Sequence, residues 1–124
     1  MLRVLIVENN RRFLEAFKEV LQKHLPSVVI EEAENGEEAL QRINGAPPDV
    51  IFTDMRLAGT NGLEFAKKIK KDFPLIRIAM LTGLDFPEYR LAASQYGMDH
   101  YFVKDSLDWK EIEEFVQYAP KENR

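Results

Sequence analysis

The sequence contains no cysteine and only two histidines in 124 residues. No disulfide can therefore form, and the histidines lack partners at the spacing of a zinc site. No apolar run approaches the ~20 residues that a membrane-spanning helix needs. The N-terminal segment becomes acidic at Glu8, too early for a secretory signal peptide. These absences predict a soluble, cytoplasmic protein without a membrane partner.

The composition also lacks a basic excess. Lys and Arg number 17 against 21 Asp and Glu, which gives a net charge of −4. Domains that bind nucleic acid usually carry a basic face, so nucleic acid is not the expected partner. The lysine run within residues 67–71 is interpreted as a solvated helix face. The length fits a single domain.

Short apolar runs alternate with helical patterns along the whole chain. Runs of this length with little strict alternation are typical of strands covered on both faces of a parallel sheet. They lie at residues 2–7, 28–30, 50–53, 75–81 and 101–103.

Between these runs, apolar residues recur at three- and four-residue steps, which predicts amphipathic helices. Asn9 or Asn10 is placed to cap the first helix, and Ser106 to cap the fifth. Alternating strands and helices form right-handed βαβ units. Five of each predict a flavodoxin-like α/β fold, a doubly wound parallel sheet with strand order 2-1-3-4-5. An eight-fold barrel would need about twice the length.

Polar side chains follow four of the predicted strands. Glu8 and Asn9 follow the first, Asp54 the third, Thr82 the fourth and Lys104 the fifth. In doubly wound sheets the functional crevice lies beyond the carboxyl ends of the strands. We therefore expect these side chains to converge there.

This set of side chains suits phosphoryl transfer. A carboxylate such as Asp54 can act as a nucleophile and form an aspartyl phosphate. Lys104 supplies a compact positive charge, and Thr82 supplies a hydroxyl donor. Glu8 together with Asp54 could hold Mg²⁺, which prefers few carboxylates and several waters. The sequence therefore predicts a phosphoacceptor site on Asp54.

In this order and spacing, the segments around these residues resemble the receiver domain of two-component response regulators. The resemblance covers nearly the whole chain, with residues 1–119 expected to form the domain and 120–124 a frayed tail. The matching segments are residues 4–10, 49–55, 59–62, 80–83 and 101–105.

The resemblance implies a role for each site residue. Asp54 would accept a phosphoryl group from a sensor histidine kinase or a phosphotransfer protein, and Thr82 and Lys104 would contact the phosphoryl oxygens. Arg56 would offer its backbone carbonyl to Mg²⁺, and Tyr101 would be the aromatic switch that turns inward when Thr82 moves toward the phosphoryl group. The domain would be a signalling switch with self-catalysed chemistry at Asp54 only, rather than a metabolic enzyme.

The resemblance also implies a surface for a downstream protein. It would be formed by the fourth helix, the fifth strand and the fifth helix, and would include Tyr89, Arg90, Tyr101 and Trp109. The charge added by phosphorylation, about −1.5 to −2, would shift this surface between two states.

Two residues depart from the family pattern. Asn9 stands where receivers usually carry a second acid that binds the metal, so one negative charge is lost from the site. Ala58 stands where the family commonly has proline, and this should loosen the loop after Asp54. We expect weaker Mg²⁺ binding and slower phosphorylation.

Three alternatives follow from these residues. The chain could be a pseudo-receiver, a protein-binding module that works without phosphorylation because of Asn9. A small aspartate phosphatase usually has a general acid two residues after its nucleophile, where this chain has Arg56. A flavin carrier needs a phosphate-cradling loop after the first strand, and no glycine lies there.

Overall fold

The structure, a computed structural model, describes residues 2–57 and 59–118. Its main sheet is parallel throughout, with strand order β2-β1-β3-β6-β7. This confirms the predicted flavodoxin-like, doubly wound fold with five helices. The elements in chain order are β1 (Arg3–Val7), α1 (Arg11–His24), β2 (Val29–Ala33), α2 (Gly36–Gly45), β3 (Val50–Asp54), β4 (Arg56–Leu57), β5 (Thr60–Asn61), α3 (Gly62–Asp72), β6 (Arg77–Thr82), α4 (Pro87–Gln95), β7 (His100–Val103) and α5 (Trp109–Tyr118).

Two helical layers cover the sheet. On the α1–α5 face, helices α1 and α5 pack on one side of the strands, with buried residues such as Leu14, Phe17 and Phe52 between them. On the α2–α4 face, helices α2, α3 and α4 pack on the other side, over residues such as Ile43 and Ile78. Because both faces are covered, the central strands are apolar at nearly every position. No helix among the described residues is long and apolar enough to cross a membrane.

The second strand is longer than its apolar run of residues 28–30. It extends from Val29 to Ala33 and includes Glu31 and Glu32. Because β2 is an edge strand, its charged side chains can reach solvent and cations. Glu31 pairs with Arg3 at 2.8 Å, and Glu32 pairs with Lys18 at 3.1 Å.

Asparagine side chains cap helices α1, α2 and α3, whereas α4 begins at Pro87 and has no side-chain cap. Asn10 caps α1, since its Oδ1 accepts from the Phe13 backbone N–H at 3.2 Å. The predicted cap of the fifth helix is wrong. Ser106 ends a short 3₁₀ turn, and Asp108 Oδ1 accepts from the Lys110 N–H at 3.1 Å instead. The 3₁₀ turn displaces the start of α5 by two residues beyond the predicted position.

The loop after β3 folds back over the end of that strand. The short hairpin of β4 and β5 was not predicted from the sequence. Gly59 has a φ of +83°, which favours glycine. A Cβ on Gly62 would lie 2.2 Å from the Asp54 carbonyl oxygen, so only glycine lets α3 begin there. The expectations about Ala58 and residues 120–124 lie outside the described residues.

Candidate functional site

The predicted site residues lie at one edge of the sheet. Asp54 is the last residue of β3 and Thr82 the last residue of β6, while Glu8 and Lys104 directly follow β1 and β7. Neighbouring parallel strands end at the same edge, so the four side chains lie in one region. Asn9, which follows Glu8, is exposed.

The ammonium group of Lys104 lies between two carboxylates. Its Nζ is 2.8 Å from Glu8 Oε1 and donates a hydrogen bond of 3.4 Å to Asp54 Oδ2. The side chain of Glu8 is fully buried, whereas those of Asp54 and Lys104 are 15% and 16% exposed. The structure therefore brings Glu8, Asp54 and Lys104 together as a partly enclosed ion cluster.

Glu8 is a buried acid with incomplete hydrogen bonding. Its Oε2 accepts from the Asn10 backbone N–H at 3.0 Å. Its Oε1 faces the Lys104 ammonium but has no aligned hydrogen bond among the described residues. Burial raises the pKa of Glu8, and the charge of Asp54 adds to the rise, while Lys104 and the Asn10 N–H oppose it. Burial therefore disfavours the ionised form of Glu8, and a second cation beside the carboxylate would favour it.

The residues of this cluster are suited to binding Mg²⁺, although only Glu8 and Asp54 among them are acids. The incompletely bonded Oε1 of Glu8 and the carboxylate of Asp54 are oxygen ligands of the kind that this ion prefers. No group of three acid or histidine side chains suited to a metal occurs among residues 2–57 and 59–118. Arg56 lies in β4 opposite Asn61, two residues beyond Asp54. A metal here would keep several water ligands.

Thr82 is buried at the end of β6. Its side chain is 3% exposed, and its Oγ1 accepts from the Leu84 backbone N–H at 3.2 Å. A Cβ on the next residue, Gly83, would meet no heavy atom within 4 Å. The hydroxyl is therefore engaged by its own turn, with open space beside it.

Tyr101 points into the α2–α4 face. It is 9% exposed, and its hydroxyl donates to the Leu84 carbonyl oxygen at 2.6 Å. The Arg90 guanidinium lies 4.6 Å from the ring centroid, and its Nε donates to Asp85 Oδ1 at 2.8 Å. Burial raises the pKa of Tyr101, against the lowering effect of Arg90. The ring is thus held in an inward position by one hydrogen bond and one cation.

Trp109 does not belong to the surface predicted for a downstream partner. Its ring stacks on His24 at 5.3 Å and contacts Phe17 at 5.1 Å, which places it on the α1–α5 face. Tyr89 instead packs against the core of the α2–α4 face, where Arg90 covers Tyr101. Trp109 is the first residue of α5, and its large ring reaches across to α1.

Sequence reasoning missed Phe13 as a neighbour of the site. Its ring centroid lies 4.5 Å from Lys104 Nζ. The sequence places Phe13 only on the apolar stripe of the first helix. A signal was present, because Phe13 lies in the first turn of α1, the helix that starts beside Glu8.

A doubly wound sheet that carries an acid and lysine cluster at its carboxyl edge defines a class of α/β signalling domains. The profile of the response regulator receiver domain family matches residues 4–117. The chain belongs to this family, and it is a receiver domain of two-component signal transduction, a signalling module.

Similar proteins agree with this assignment. The sensory transduction protein LytT of Bacillus subtilis (strain 168) is 32% identical over 124 residues, which cover 100% of this chain and 50% of LytT. For a set of curated relatives that includes LytT, the chain spans between 28% and 52% of their length.

Solved structures show the same fold. The response regulator TrrA of Thermotoga maritima, in complex with Mg²⁺–BeF, is 34% identical, with a TM-score of 0.82 over 96% of this chain and 99% of that chain. A CheY-like receiver domain protein of Methanospirillum hungatei JF-1 is 25% identical, with a TM-score of 0.85 over 98% of each chain.

Proposed function

We propose that this receiver domain accepts a phosphoryl group on Asp54 from the phosphohistidine of a sensor kinase or phosphotransfer protein. The observation that carries the proposal is the ammonium of Lys104, 3.4 Å from Asp54 Oδ2 at the carboxyl edge of the sheet. The carboxylate is 15% exposed, so a donor can reach it. The receiver family supports the same assignment.

The transfer joins Asp54 to phosphorus and releases the imidazole. A carboxylate oxygen of Asp54 forms the new O–P bond, and the P–N bond to the donor imidazole breaks. The bonding electron pair stays on the imidazole nitrogen, which then takes a proton from solvent. Such transfers depend mainly on positioning and on neutralising the phosphoryl oxygens, and we assign that charge to Lys104. The Thr82 hydroxyl would donate to a phosphoryl oxygen after leaving the Leu84 N–H.

We infer that Mg²⁺, when bound, would supply further positive charge for the phosphoryl oxygens. Glu8, Asp54 and the backbone carbonyl of Arg56 would hold it, with the amide oxygen of Asn9 as a weaker ligand than an acid. TrrA, a relative at 34% identity, has been solved with Mg²⁺–BeF. Because Asn9 carries no charge, we expect binding weaker than in a site with a third carboxylate.

The accepted charge would act on the inward position of Tyr101. Thr82 and Tyr101 both bond to Leu84, through its N–H and its carbonyl oxygen respectively. If the Thr82 hydroxyl moves to the phosphoryl group, the Leu84 turn loses one of these bonds. The surface around Tyr89, Arg90 and Tyr101 would then change for a downstream protein.

The mass of the intact protein after incubation with acetyl phosphate and millimolar Mg²⁺ tests the acceptor. We expect a gain of one phosphoryl group in the wild type and none in Asp54→Asn. Lys104→Ala should retain the acceptor but react more slowly. An unmodified wild type, or a modified Asp54→Asn variant, would contradict the proposal.

One observation favours a second candidate, the phosphorylation-independent pseudo-receiver. Lys104 already pairs with both Glu8 and Asp54 without a metal, while Asn9 points to weak metal binding. A magnesium titration followed by the backbone amide signals of Glu8 and Asp54 separates the two. Saturable shifts support the phosphoacceptor, and constant shifts together with no phosphorylation support the pseudo-receiver. The domain limits of 1–119 and the cytoplasmic location stay predictions.

A further inference from the structure

Lys104 has an aromatic neighbour in addition to its two carboxylates. Its Nζ lies 4.5 Å from the centroid of the Phe13 ring. A cation within about 6 Å of a ring face is attracted by the negative electrostatic potential of that face. Lysine is a point charge on a flexible four-carbon stem, so its position depends on such neighbours.

The Phe13 ring is itself held in place. The Phe13 backbone N–H donates to the Asn10 cap at 3.2 Å, which fixes the residue in the first turn of α1. The ring stacks on Phe17 with a centroid distance of 5.6 Å and an interplanar angle of 21°. Phe17 is only 2% exposed, within the core of the α1–α5 face. The core therefore supports a fixed platform beside the ammonium.

We propose that Phe13 is a positioning residue for phosphoryl transfer to Asp54, because its ring holds the Lys104 ammonium next to the acceptor carboxylate. The inference rests on the proposed function. An aromatic ring attracts the cation without neutralising it, unlike a third carboxylate. The ammonium therefore keeps its charge for the incoming phosphoryl oxygens while its movement is restricted.

The first measurement is spectroscopic and needs no phosphorylation. Protons above a ring face are shifted upfield by the ring current, so the ε-methylene signal of Lys104 should show such a shift. Phe13→Leu should remove the upfield shift, and Phe13→Tyr should retain it. Trp109→Leu is the matched control, since it removes another ring that contacts Phe17, at 5.1 Å, without touching Lys104.

The second measurement is the maximal rate constant of phosphorylation by acetyl phosphate at saturating Mg²⁺. We expect Phe13→Leu to lower it by about threefold to tenfold, from the strength of a partly exposed cation–π contact. The donor concentration at half-maximal rate should change less, because Lys104 acts on the transferring group. Phe13→Tyr and Trp109→Leu should stay within about twofold of the wild type, since both keep an aromatic ring under the ammonium.

The outcomes distinguish a failure of this inference from a failure of the proposed function. A wild type modified at Asp54 together with an unaffected Phe13→Leu overturns the inference alone. So does an unchanged Lys104 signal in Phe13→Leu, or an equal loss of rate in Trp109→Leu. An unmodified wild type overturns the proposed function and this inference with it. Thermal denaturation of each variant checks that it is folded.

Discussion

Helices α1 and α4, on opposite faces of the sheet, are held in different ways. On the α1–α5 face, helix α1 buries Leu14, Phe17 and Leu21, and Phe17 makes an edge contact with Phe52 at 5.2 Å. On the α2–α4 face, the buried residue of helix α4 is Ala93, while Leu91 is 59% exposed. Burial of apolar area stabilises by about 25 cal/mol per Å², so α1 is held far more strongly than α4.

The two sides of the site therefore differ in how firmly their residues are held. The Lys104 ammonium lies against Phe13, on the strongly packed helix α1. Tyr101 lies on the face of α4, where its hydroxyl and the Arg90 cation hold the ring. Elements with few buried apolar contacts open at low free energy. A fixed charge on one side and a movable helix on the other is an arrangement suited to a switch.

The largest expected effect comes from a substitution in the core beneath α1. Phe17→Ala should lower the free energy of unfolding by about 3–5 kcal/mol, because it removes a buried ring and leaves a cavity. Leu91→Ala on α4 should change it by no more than about 0.5 kcal/mol, because that side chain is mostly exposed. Urea denaturation of both variants measures the difference, and similar losses would contradict the stronger apolar packing of α1.

A smaller effect is expected from Tyr101→Phe, which removes the hydrogen bond to the Leu84 carbonyl oxygen. The free energy of unfolding should fall by about 1 kcal/mol. Hydrogen exchange should quicken more in α4 and residues 84–86 than in α1, because the lost bond holds only the α4 side. Uniform acceleration across both helices would argue against a separately held α4.

The smallest effect concerns the ionisation of Tyr101. Burial raises the pKa of Tyr101 above its ordinary value of 10.0, so the folded state favours the neutral phenol. The contribution of the neutral phenol to the free energy of unfolding is therefore complete below pH 10.0. This contribution is lost as pH rises through the higher folded pKa. Arg90→Ala should raise this pKa further, because the guanidinium favours the phenolate.

The ring signals of ¹³C-labelled tyrosine, followed against pH in the wild type and Arg90→Ala, measure this change. An unchanged or lowered pKa of Tyr101 in the variant would mean that Arg90 does not act on the ring.

Much of the fold and the core of the site could be predicted from local patterns. Each apolar run marks a strand, and the residue that follows four of the five runs lies at the carboxyl edge. Glu8, Asp54 and Lys104 could be grouped in this way, because parallel strands end together. The bounds of β2 were harder to predict, since an edge strand tolerates Glu31 and Glu32, which break the apolar pattern.

Such patterns could not predict contacts between distant elements. Periodicity shows that Trp109 and Phe13 lie on apolar helix faces, but it does not show which neighbour each ring meets. Trp109 meets α1 rather than the predicted partner surface, and Phe13 meets an ammonium rather than core alone. The hairpin of β4 and β5 was also missed, because its strands are only two residues long and leave no apolar run.

The order of strands and helices, the absence of disulfides and the choice of Asp54 as candidate acceptor follow from the sequence alone. They depend on residue type, spacing and chain direction, which are local properties. Tertiary packing decided the ion-pair geometry of Glu8 with Lys104, the inward position of Tyr101 and the ring beside the ammonium. Each joins residues far apart in the chain, and only the closed core brings their side chains within a few ångströms.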